Sequence, residues 1–199
     1  MKKPATPPPP PDDRPIMVFE TARAWEAWLT KHGESSPGIY IRIAKKDSGM
    51  RSVTYAEALE IALCHGWIDA IKRSYDEASF LQKFLPRTPK SIWSQVNKKK
   101  VQELIKAGLM RPAGLAAVER AKASGQWKNA YAPASSITVP PDLKEALRRN
   151  KKAAVFFKTL KGSNRYAILH RLHTAKKEDT RARRLAHFIG MLERGETLH

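Results

Sequence analysis

Residues 54–97 read TYAEALEIALCHGWIDAIKRSYDEASFLQKFLPRTPKSIWSQVN, and this stretch decides the predicted fold. Thr54 and Glu57 have the spacing of a capping box, in which the two residues satisfy each other's backbone amides at the start of a helix. Apolar residues follow at helical spacing, and Gly66 stands where a helix commonly ends in a left-handed residue. Residues 67–71, WIDAI, then favour a strand, because tryptophan and isoleucine suit a half-buried pleated surface.

The same stretch continues into a second strand and a helix. The second strand is predicted at about residues 78–84. Thr88 is the predicted N-cap of the helix, with Pro89 at its first position, and the helix is expected to end at Gly108. Asn97 falls inside the apolar stripe of that helix. A buried asparagine must be hydrogen-bonded, so Asn97 is expected to have a partner.

Upstream residues predict one further helix and one further strand. Thr21 is placed to begin a helix that ends at Gly33, with two tryptophans on one face. Residues 39–45, IYIRIAK, alternate between isoleucines on one face and Tyr40 and Arg42 on the other. Together with the two strands of the central stretch, this gives a small antiparallel sheet of about three strands with helices packed on it.

The second half of the chain is predicted to be helical. One helix begins at Pro112, with Leu115 facing inward, and four short helices are expected at residues 142–149, 153–160, 164–173 and 178–194. The predicted class is therefore α+β and helix-rich, with a small antiparallel sheet followed by a helical C-terminal part. The predicted organisation is a disordered proline-rich tail over 1–15, an α+β N-terminal domain over 16–131, a linker over 132–141 and a helical C-terminal domain over 142–199 packed on the first.

Charge is distributed unevenly along this chain of 199 residues, whose formal net charge is +18. Residues 85–128 carry ten basic and two acidic side chains, and residues 129–199 carry fifteen and six. Nearly all the excess therefore lies beyond Leu85. A field of this size attracts anions, including nucleic acid, anionic membrane surfaces and phosphorylated metabolites. A solvated basic helical surface is the plain structural alternative.

The remaining composition indicates a reducing compartment. The single cysteine excludes a disulfide scaffold. The N-terminal residues have two lysines but lack the apolar segment of a secretory signal. No apolar run reaches the ~18–20 residues that would span a bilayer. We therefore expect a cytoplasmic protein without a transmembrane segment, whose oligomeric state the sequence leaves open.

A first group of side chains combines two indoles, a carboxylate, a guanidinium and several neutral hydrogen-bonding groups. Arg87 precedes a predicted helix N-terminus with hydroxyls in its first turn, which suits an anionic group. Asp69 is expected to be partly buried and bonded to an arginine or to backbone amides, with Arg87 as the first candidate. The alternative is that this pair locks sheet to helix while the tryptophans fill the core. The predicted ligand-binding residues are Trp67, Asp69, Arg87, Ser91, Trp93, Ser94 and Asn97.

A second group lies near the start of the last predicted helix. Arg181 and Arg184 share one side of that helix and could clamp a phosphate as bidentate donors. The alternative is a solvated basic face on an amphipathic helix. The predicted anion-binding residues are Lys176, Thr180, Arg181 and Arg184.

Other chemistry finds little support in the sequence. His170 and His173 lie three residues apart on a predicted helix, but a zinc site needs three or four convergent ligands. Cys64 lies on a helix rich in alanine and leucine, where a buried thiol is usual. Gly-x-Ser-x-Gly elbows, Walker loops and dinucleotide fingerprints are absent from the sequence. We therefore predict no catalytic residue, no metal and no cofactor.

Several runs of the chain resemble one protein family. ALCHGWIDA, FLPRTPKSIWSQVNKKK, LIKAGLMRPAGLAAVERAK and AKKEDTRARRLAHFI are similar, in this order, to YdeI/OmpD-associated proteins, which are also described as bacteriocin-protection proteins. The resemblance covers roughly residues 19–192. It implies a role in protection against stress or a bacteriocin, and the family description names no reaction.

These observations favour one function and leave two alternatives. The favoured function is a cytoplasmic protective protein that binds an anionic small molecule or polyanion; whether it is an enzyme is left open, with a non-enzymatic role preferred. The first alternative is a nucleic-acid-binding module that uses the basic surface beyond Leu85, for which only non-specific binding is expected. The second alternative is an enzyme acting on a small anionic substrate, with Asp69 as its acid or base.

Overall fold

The computed structural model describes residues 12–199, and the predicted tail up to residue 11 lies outside this range. The described chain divides into two compact units. The N-terminal unit comprises the chain up to Ser91 together with Asn97–Lys128, and the C-terminal unit comprises Ile92–Val96 with Asn129–His199. The division after Lys128 lies close to the boundary predicted at residue 131, whereas the assignment of residues 92–96 to the second unit is not predicted by the sequence.

The described residues form four strands and eight helices, which confirms the α+β class. The strands are β1 Ile16–Met17, β2 Ile39–Ala44, β3 Trp67–Ser74 and β4 Ser79–Pro86. The helices are α1 Ala22–His32, α2 Tyr55–Cys64, α3 Gln95–Lys106, α4 Pro112–Ala123, α5 Pro141–Arg149, α6 Lys151–Thr159, α7 Gly162–His173 and α8 Glu178–Glu193. No helix among residues 12–199 has both the length and the apolar character needed to cross a membrane.

The sheet has four strands in the order β1-β2-β4-β3, where the sequence predicts about three. The three long strands pair antiparallel, as expected, but β1 runs parallel to β2, with Ile16 opposite Tyr40. The sheet is therefore mixed. A strand of two residues is too short to produce an alternating pattern, which explains why the sequence does not reveal it.

The residues before β1 contact the sheet, although the sequence predicts a disordered tail up to residue 15. Asp12 forms an ion pair with Lys83 of β4. Tyr40 donates its backbone N–H to the carbonyl oxygen of Pro15 at 2.9 Å. Arg14 donates from Nε to the carbonyl oxygen of Pro37 at 3.2 Å. Long-range polar contacts of this kind leave no trace in local composition.

Tryptophans dominate the core of the N-terminal unit. Trp25 of α1 is fully buried and donates its indole N–H to the carbonyl oxygen of Ala58 in α2 at 3.1 Å. Its ring meets Trp67 of β3 edge-on at 6.1 Å and lies 5.8 Å from the ring of Phe84 in β4. Since buried indole N–H groups need an acceptor, these contacts fix the first two helices on one face of the sheet.

Helix α2 begins and ends as the sequence predicts. Thr54 and Glu57 form the expected capping box. Gly66 follows the helix with a φ of +75°, the left-handed conformation that glycine adopts without strain. Gly114 of α4 lies so close to α2 that an added Cβ would overlap the carbonyl oxygen of Cys64. Glycine at this position therefore permits the close approach of the two helices.

The start of α3 differs from the prediction. The helix begins at Gln95, and Thr88 lies in a turn in which its backbone N–H donates to the Ser91 hydroxyl at 2.9 Å. The intervening backbone pairs like a strand, because Tyr131 donates to the carbonyl oxygen of Trp93 and accepts from the N–H of Gln95, both at 2.9 Å. This pairing between residues far apart in sequence outweighs the local helix signal.

The helix ends and faces of the middle segment are predicted in part. Helix α3 ends before Gly108, whose φ is +70°, as expected. Leu115 is predicted to face inward from α4 but is 42% exposed. This prediction is wrong, because the buried stripe of α4 is narrower than its apolar sequence suggests.

The C-terminal unit has its own apolar core. Helices α5 to α8 match the four predicted segments to within a few residues at each end. The buried residues of this core are Leu143, Leu147, Ala153, Phe157, Leu160, Ile168, Leu169, Leu172, Phe188, Met191 and Leu192.

Candidate functional site

Asp69 pairs with a tyrosine rather than with an arginine or backbone amides. Tyr55, the first residue of α2, donates its hydroxyl to Oδ2 of Asp69 at 2.7 Å. The carboxylate is half-buried, as expected, but the predicted bond to Arg87 is wrong. Burial, together with the bond to Asp69, holds the pKa of Tyr55 well above its ordinary value, so its hydroxyl remains a donor at neutral pH.

Trp67 is part of the core rather than of an open surface. It is 1% exposed, and its indole N–H donates to the carbonyl oxygen of Gly33 at 3.1 Å. Its ring meets Trp28 edge-on at 5.9 Å. These contacts give Trp67 the structural role that the alternative interpretation assigned to the tryptophans.

The other members of the first predicted group lie on separate elements. Arg87 is buried just after β4, and its backbone N–H donates to the carbonyl oxygen of Gly66 at 2.9 Å. Ser91 lies in the turn before α3, and Asn97 is half-buried within α3. Trp93 and Ser94 are both buried and belong to the C-terminal unit. Because α3 begins at Gln95, Arg87 and Ser91 do not flank a helix N-terminus as predicted.

Arg181 is held on three sides within the C-terminal unit. Its Nε and Nη2 donate to the two carboxylate oxygens of Asp142 at 2.6 and 2.9 Å. Its Nη1 donates to the carbonyl oxygen of Leu172, near the end of α7. The hydrogen bonds from Arg181 lower the pKa of Asp142 below its ordinary value. Arg181 therefore ties α8 to α5 and α7, and its donors are engaged within the protein.

Arg184 also forms a hydrogen bond at the end of α7. Its Nη1 donates to the carbonyl oxygen of Arg171 at 2.7 Å. The last carbonyls of a helix have no intrahelical partner, so a guanidinium at this position stabilises the helix end. Thr180 is half-buried on α8, and Lys176 is exposed in the connection between α7 and α8. Of the second predicted group, Lys176 is the fully solvent-facing cation.

The C-terminal unit carries many exposed cations beyond these. Its described ion pairs join Arg148 and Arg149 to Glu145, Arg181 to Asp142 and Arg194 to Glu196. Other exposed cations have no acidic partner among residues 12–199. They are Lys144, Lys151, Lys152, Lys158, Lys161, Arg171, Lys176, Lys177 and Arg183.

Cys64 is buried and His170 is half-buried. The Cys64 thiol is buried, and burial raises its pKa to about 11. At neutral pH it is a thiol rather than the thiolate that acts as nucleophile. Burial also lowers the pKa of His170, which stacks edge-on with Tyr131 at 4.5 Å. Across the described range, no three His, Cys, Asp or Glu side chains converge as a metal site would require.

Tyr55 and Asp142 are two structural partners that the sequence does not reveal. Both lie at the first turn of a helix and reach a distant element. The sequence gives only weak evidence for the pair between Asp142 and Arg181. A charged side chain at a helix end usually interacts with the helix dipole alone.

Two family models match the chain. One, described as a domain of unknown function (DUF8412), matches residues 17–117. The other, described as bacteriocin-protection, YdeI or OmpD-associated, matches residues 136–195 and supports the resemblance stated above. The runs ALCHGWIDA and FLPRTPKSIWSQVNKKK lie in the segment that the first model matches.

Searches of curated proteins and of solved structures found no match. The first match includes residues of all four strands and of helices α1 to α4, and the second covers helices α5 to α8. The chain therefore belongs to the DUF8412 family, whose model matches residues 17–117, and it contains a YdeI/OmpD-associated, bacteriocin-protection domain over residues 136–195.

Proposed function

We propose that this protein protects against stress or a bacteriocin by binding an anionic ligand or partner at the basic surface of its C-terminal unit. The observation that supports this most strongly is the pattern of ion pairs in that unit. Asp142, Glu145 and Glu196 are each held by arginines of the same unit. The exposed lysines and arginines named above have no acidic partner within residues 12–199.

The balance of basic and acidic side chains in the C-terminal unit favours anionic ligands. Residues 129–199 carry fifteen basic and six acidic side chains, and half of those acids are neutralised internally. Glu178 and Asp179 lie in the first turn of α8, where the helix dipole favours acids. The outward field of this unit is therefore positive, and such a field concentrates anions at the surface.

The proposal includes no catalysed reaction. Asp69, the acid or base of the enzyme alternative, is bonded to a tyrosine whose pKa is raised, and no second acid or base is bonded to this pair in the described chain. The nucleic-acid alternative uses the same positive field. Few aromatic residues accompany the basic runs to stack on bases, so we expect nucleic acid to bind without sequence preference.

Charge reversal within the C-terminal unit tests the proposal. The variant replaces Lys176, Lys177 and Arg183 with glutamate, and a fluorescent heparin oligosaccharide serves as the probe. The control variant replaces Lys31, Lys46 and Arg51, which are exposed residues of the N-terminal unit, with glutamate. Both variants change the net charge equally, so a difference between them reports the location of the charge.

We expect the first variant to bind heparin at least about tenfold more weakly than the control in fluorescence anisotropy at low salt. Equal losses in both variants would show that net charge alone attracts the polyanion, and would contradict a site on the C-terminal unit. Thermal unfolding of each variant establishes that the comparison is made between folded chains.

A further inference from the structure

A shallow groove lies between α6 and the end of α8, within the C-terminal unit. Its volume is about 560 Å³, within the roughly 300–1,000 Å³ of small-molecule sites. Its lining includes Lys151, Lys152, Val155, Phe156, Leu192 and Gly195. No residue predicted from the sequence to bind a ligand lies in this groove.

The body of the groove is apolar. Val155 is 66% exposed, Phe156 is half-buried, and Leu192 belongs to the buried core beneath. Val155 lies four residues after Lys151 and four before Thr159, so these three residues follow one line along α6. Phe156 approaches Gly195 on the other wall, where an added Cβ would lie 3.9 Å from its ring. The groove thus offers a continuous apolar strip alongside the helix.

One end of that strip is cationic. Lys151 and Lys152 form the first turn of α6, and neither has an acidic partner in the part of the chain that the structure describes. The positive end of the helix dipole adds to their charge. Arg194 is neutralised by Glu196 through two hydrogen bonds of 2.9 and 2.8 Å. Glu193 is the one acid in the described lining, so the two lysines leave the groove with an excess of one positive charge.

A second groove on the same unit lacks unpaired lysines among its described lining residues. It lies between α5 and α8 with a volume of about 730 Å³. Its charged lining consists of Asp142, Glu145, Arg149 and Glu193, while Ala182, Ala186 and Ile189 contribute to its apolar part. Asp142 and Glu145 are paired with arginines, and Glu193 lines both grooves. The described lining of the second groove therefore has no cation without an acidic partner, whereas that of the first has Lys151 and Lys152.

We infer that the α6–α8 groove binds a single-chain amphipathic anion, with its carboxylate or similar head at Lys151 and Lys152 and its hydrocarbon chain over Val155 and Phe156. The head gains charge-assisted hydrogen bonds from the lysine ammonium groups. The chain covers apolar surface that is otherwise exposed to water. This inference rests on the proposed function, since both require the C-terminal unit to bind an anion, and it names the chemical class of ligand.

Isothermal titration calorimetry of the full chain with three probes distinguishes the contribution of the anionic head group from that of the hydrocarbon tail. Dodecanoate, below its micelle concentration, carries both features. Acetate has the head alone, and dodecyltrimethylammonium has the same tail with the opposite charge. We expect dodecanoate to bind at least about tenfold more tightly than either of the others. Equal binding of dodecanoate and dodecyltrimethylammonium would overturn the role of the lysines.

Two variants with matched controls locate the site. Val155→Asp places an acid in the groove, and Ala186→Asp places one in the second groove, at an equally exposed class of position. Lys151→Glu with Lys152→Glu removes the cationic end, and Lys31→Glu with Lys46→Glu changes the net charge equally on the N-terminal unit. We expect each groove variant to bind dodecanoate at least about tenfold more weakly, and each control to stay within about twofold of the wild type.

Amide chemical shifts of the wild-type chain locate the site without relying on variants that could misfold. Dodecanoate should shift the backbone amide resonances of Val155 and Gly195 and leave that of Ala186 unchanged. Shifts confined to other segments would overturn the assignment. If heparin binds as proposed above while dodecanoate does not, this inference alone fails, whereas loss of both removes the proposed function as well.

Discussion

At the residue scale, the contacts of Arg181 matter most to the C-terminal unit. Replacing it with lysine keeps the charge but loses the planar fork that serves Asp142 and Leu172 together. We expect Arg181→Lys to destabilise this unit by on the order of 1–2 kcal/mol, the low end for charge-assisted hydrogen bonds, because both side chains keep about a third of their surface in water. Hydrogen exchange of the α5 and α8 amides measures this loss, and exchange rates equal to those of the wild type would contradict it.

The same pair makes stability depend on pH. The pKa of Asp142 is lowered in the folded state, chiefly by its hydrogen bonds from Arg181. Its contribution is therefore fully present above the ordinary aspartate pKa of about 3.9 and is lost as pH falls through the lower folded value. We expect the stability difference between wild type and Asp142→Asn to shrink below about pH 4. A constant difference down to pH 2 would show that the carboxylate charge does not matter.

The Tyr55–Asp69 bond gives a second prediction at this scale. Tyr55→Phe removes the donor and nothing else, so we expect a loss of about 0.5–1.5 kcal/mol in the free energy of unfolding of the N-terminal unit. Tyr75→Phe is the matched control, since the Tyr75 hydroxyl makes no hydrogen bond within residues 12–199. Equal effects of the two substitutions in urea denaturation would mean that the bond to Asp69 contributes nothing.

Local signals predict single residues well when the partner is near in sequence. The capping box of Thr54 and Glu57 is confirmed, and so is the left-handed Gly66. The partner of Asp69 is predicted wrongly, because Tyr55 lies fourteen residues away on another element. Side-chain pairing across elements depends on how those elements pack, and one sequence carries no record of that.

At the element scale, the contact between α2 and α4 depends on the absence of a side chain at Gly114. An added methyl group would overlap the backbone of Cys64, which cannot move aside as a flexible side chain can. We expect Gly114→Ala to destabilise the N-terminal unit by about 1–3 kcal/mol, the usual cost of overpacking. Thermal unfolding measures the change.

Gly190→Ala provides the control for this substitution. Gly190 lies within α8, and an added Cβ would meet only the flexible end of Arg194 at 3.4 Å. Because alanine favours a helix interior over glycine, we expect this substitution to stabilise the C-terminal unit by about 0.5–1 kcal/mol. A loss of stability at Gly190, or none at Gly114, would contradict this account of the two positions.

Helices with a regular spacing of apolar residues are predicted correctly. Elements whose ends depend on backbone pairing with residues far away in the sequence are not. Helices α5 to α8 follow apolar spacing and end signals, and the structure places them where the sequence does. The first turn predicted for α3 is absent because residues 93–95 pair with Tyr131. Strand β1 is missed for the same reason, since its two residues are ordered by pairing with β2.

At the scale of the whole molecule, the sequence predicts the charge directly. It does not predict which charged side chains are available to a ligand. The excess of basic residues beyond Leu85 is a fact of composition. Which cations remain available is a fact of structure, since Arg148, Arg149, Arg181 and Arg194 are paired within the C-terminal unit. The sequence predicts that Arg181 binds an anion, but in the structure its guanidinium donates to the Asp142 carboxylate and to the Leu172 carbonyl oxygen.

A salt titration of polyanion binding tests the central claim most directly. Affinity of the full chain for heparin and for two duplex DNAs of different sequence would be measured from low to physiological salt. Binding through released counterions should weaken linearly in log affinity against log salt, fade towards physiological salt and be equal for the two duplexes. Nanomolar binding that persists at physiological salt and distinguishes the two duplexes would contradict the account and favour a specific nucleic-acid-binding protein.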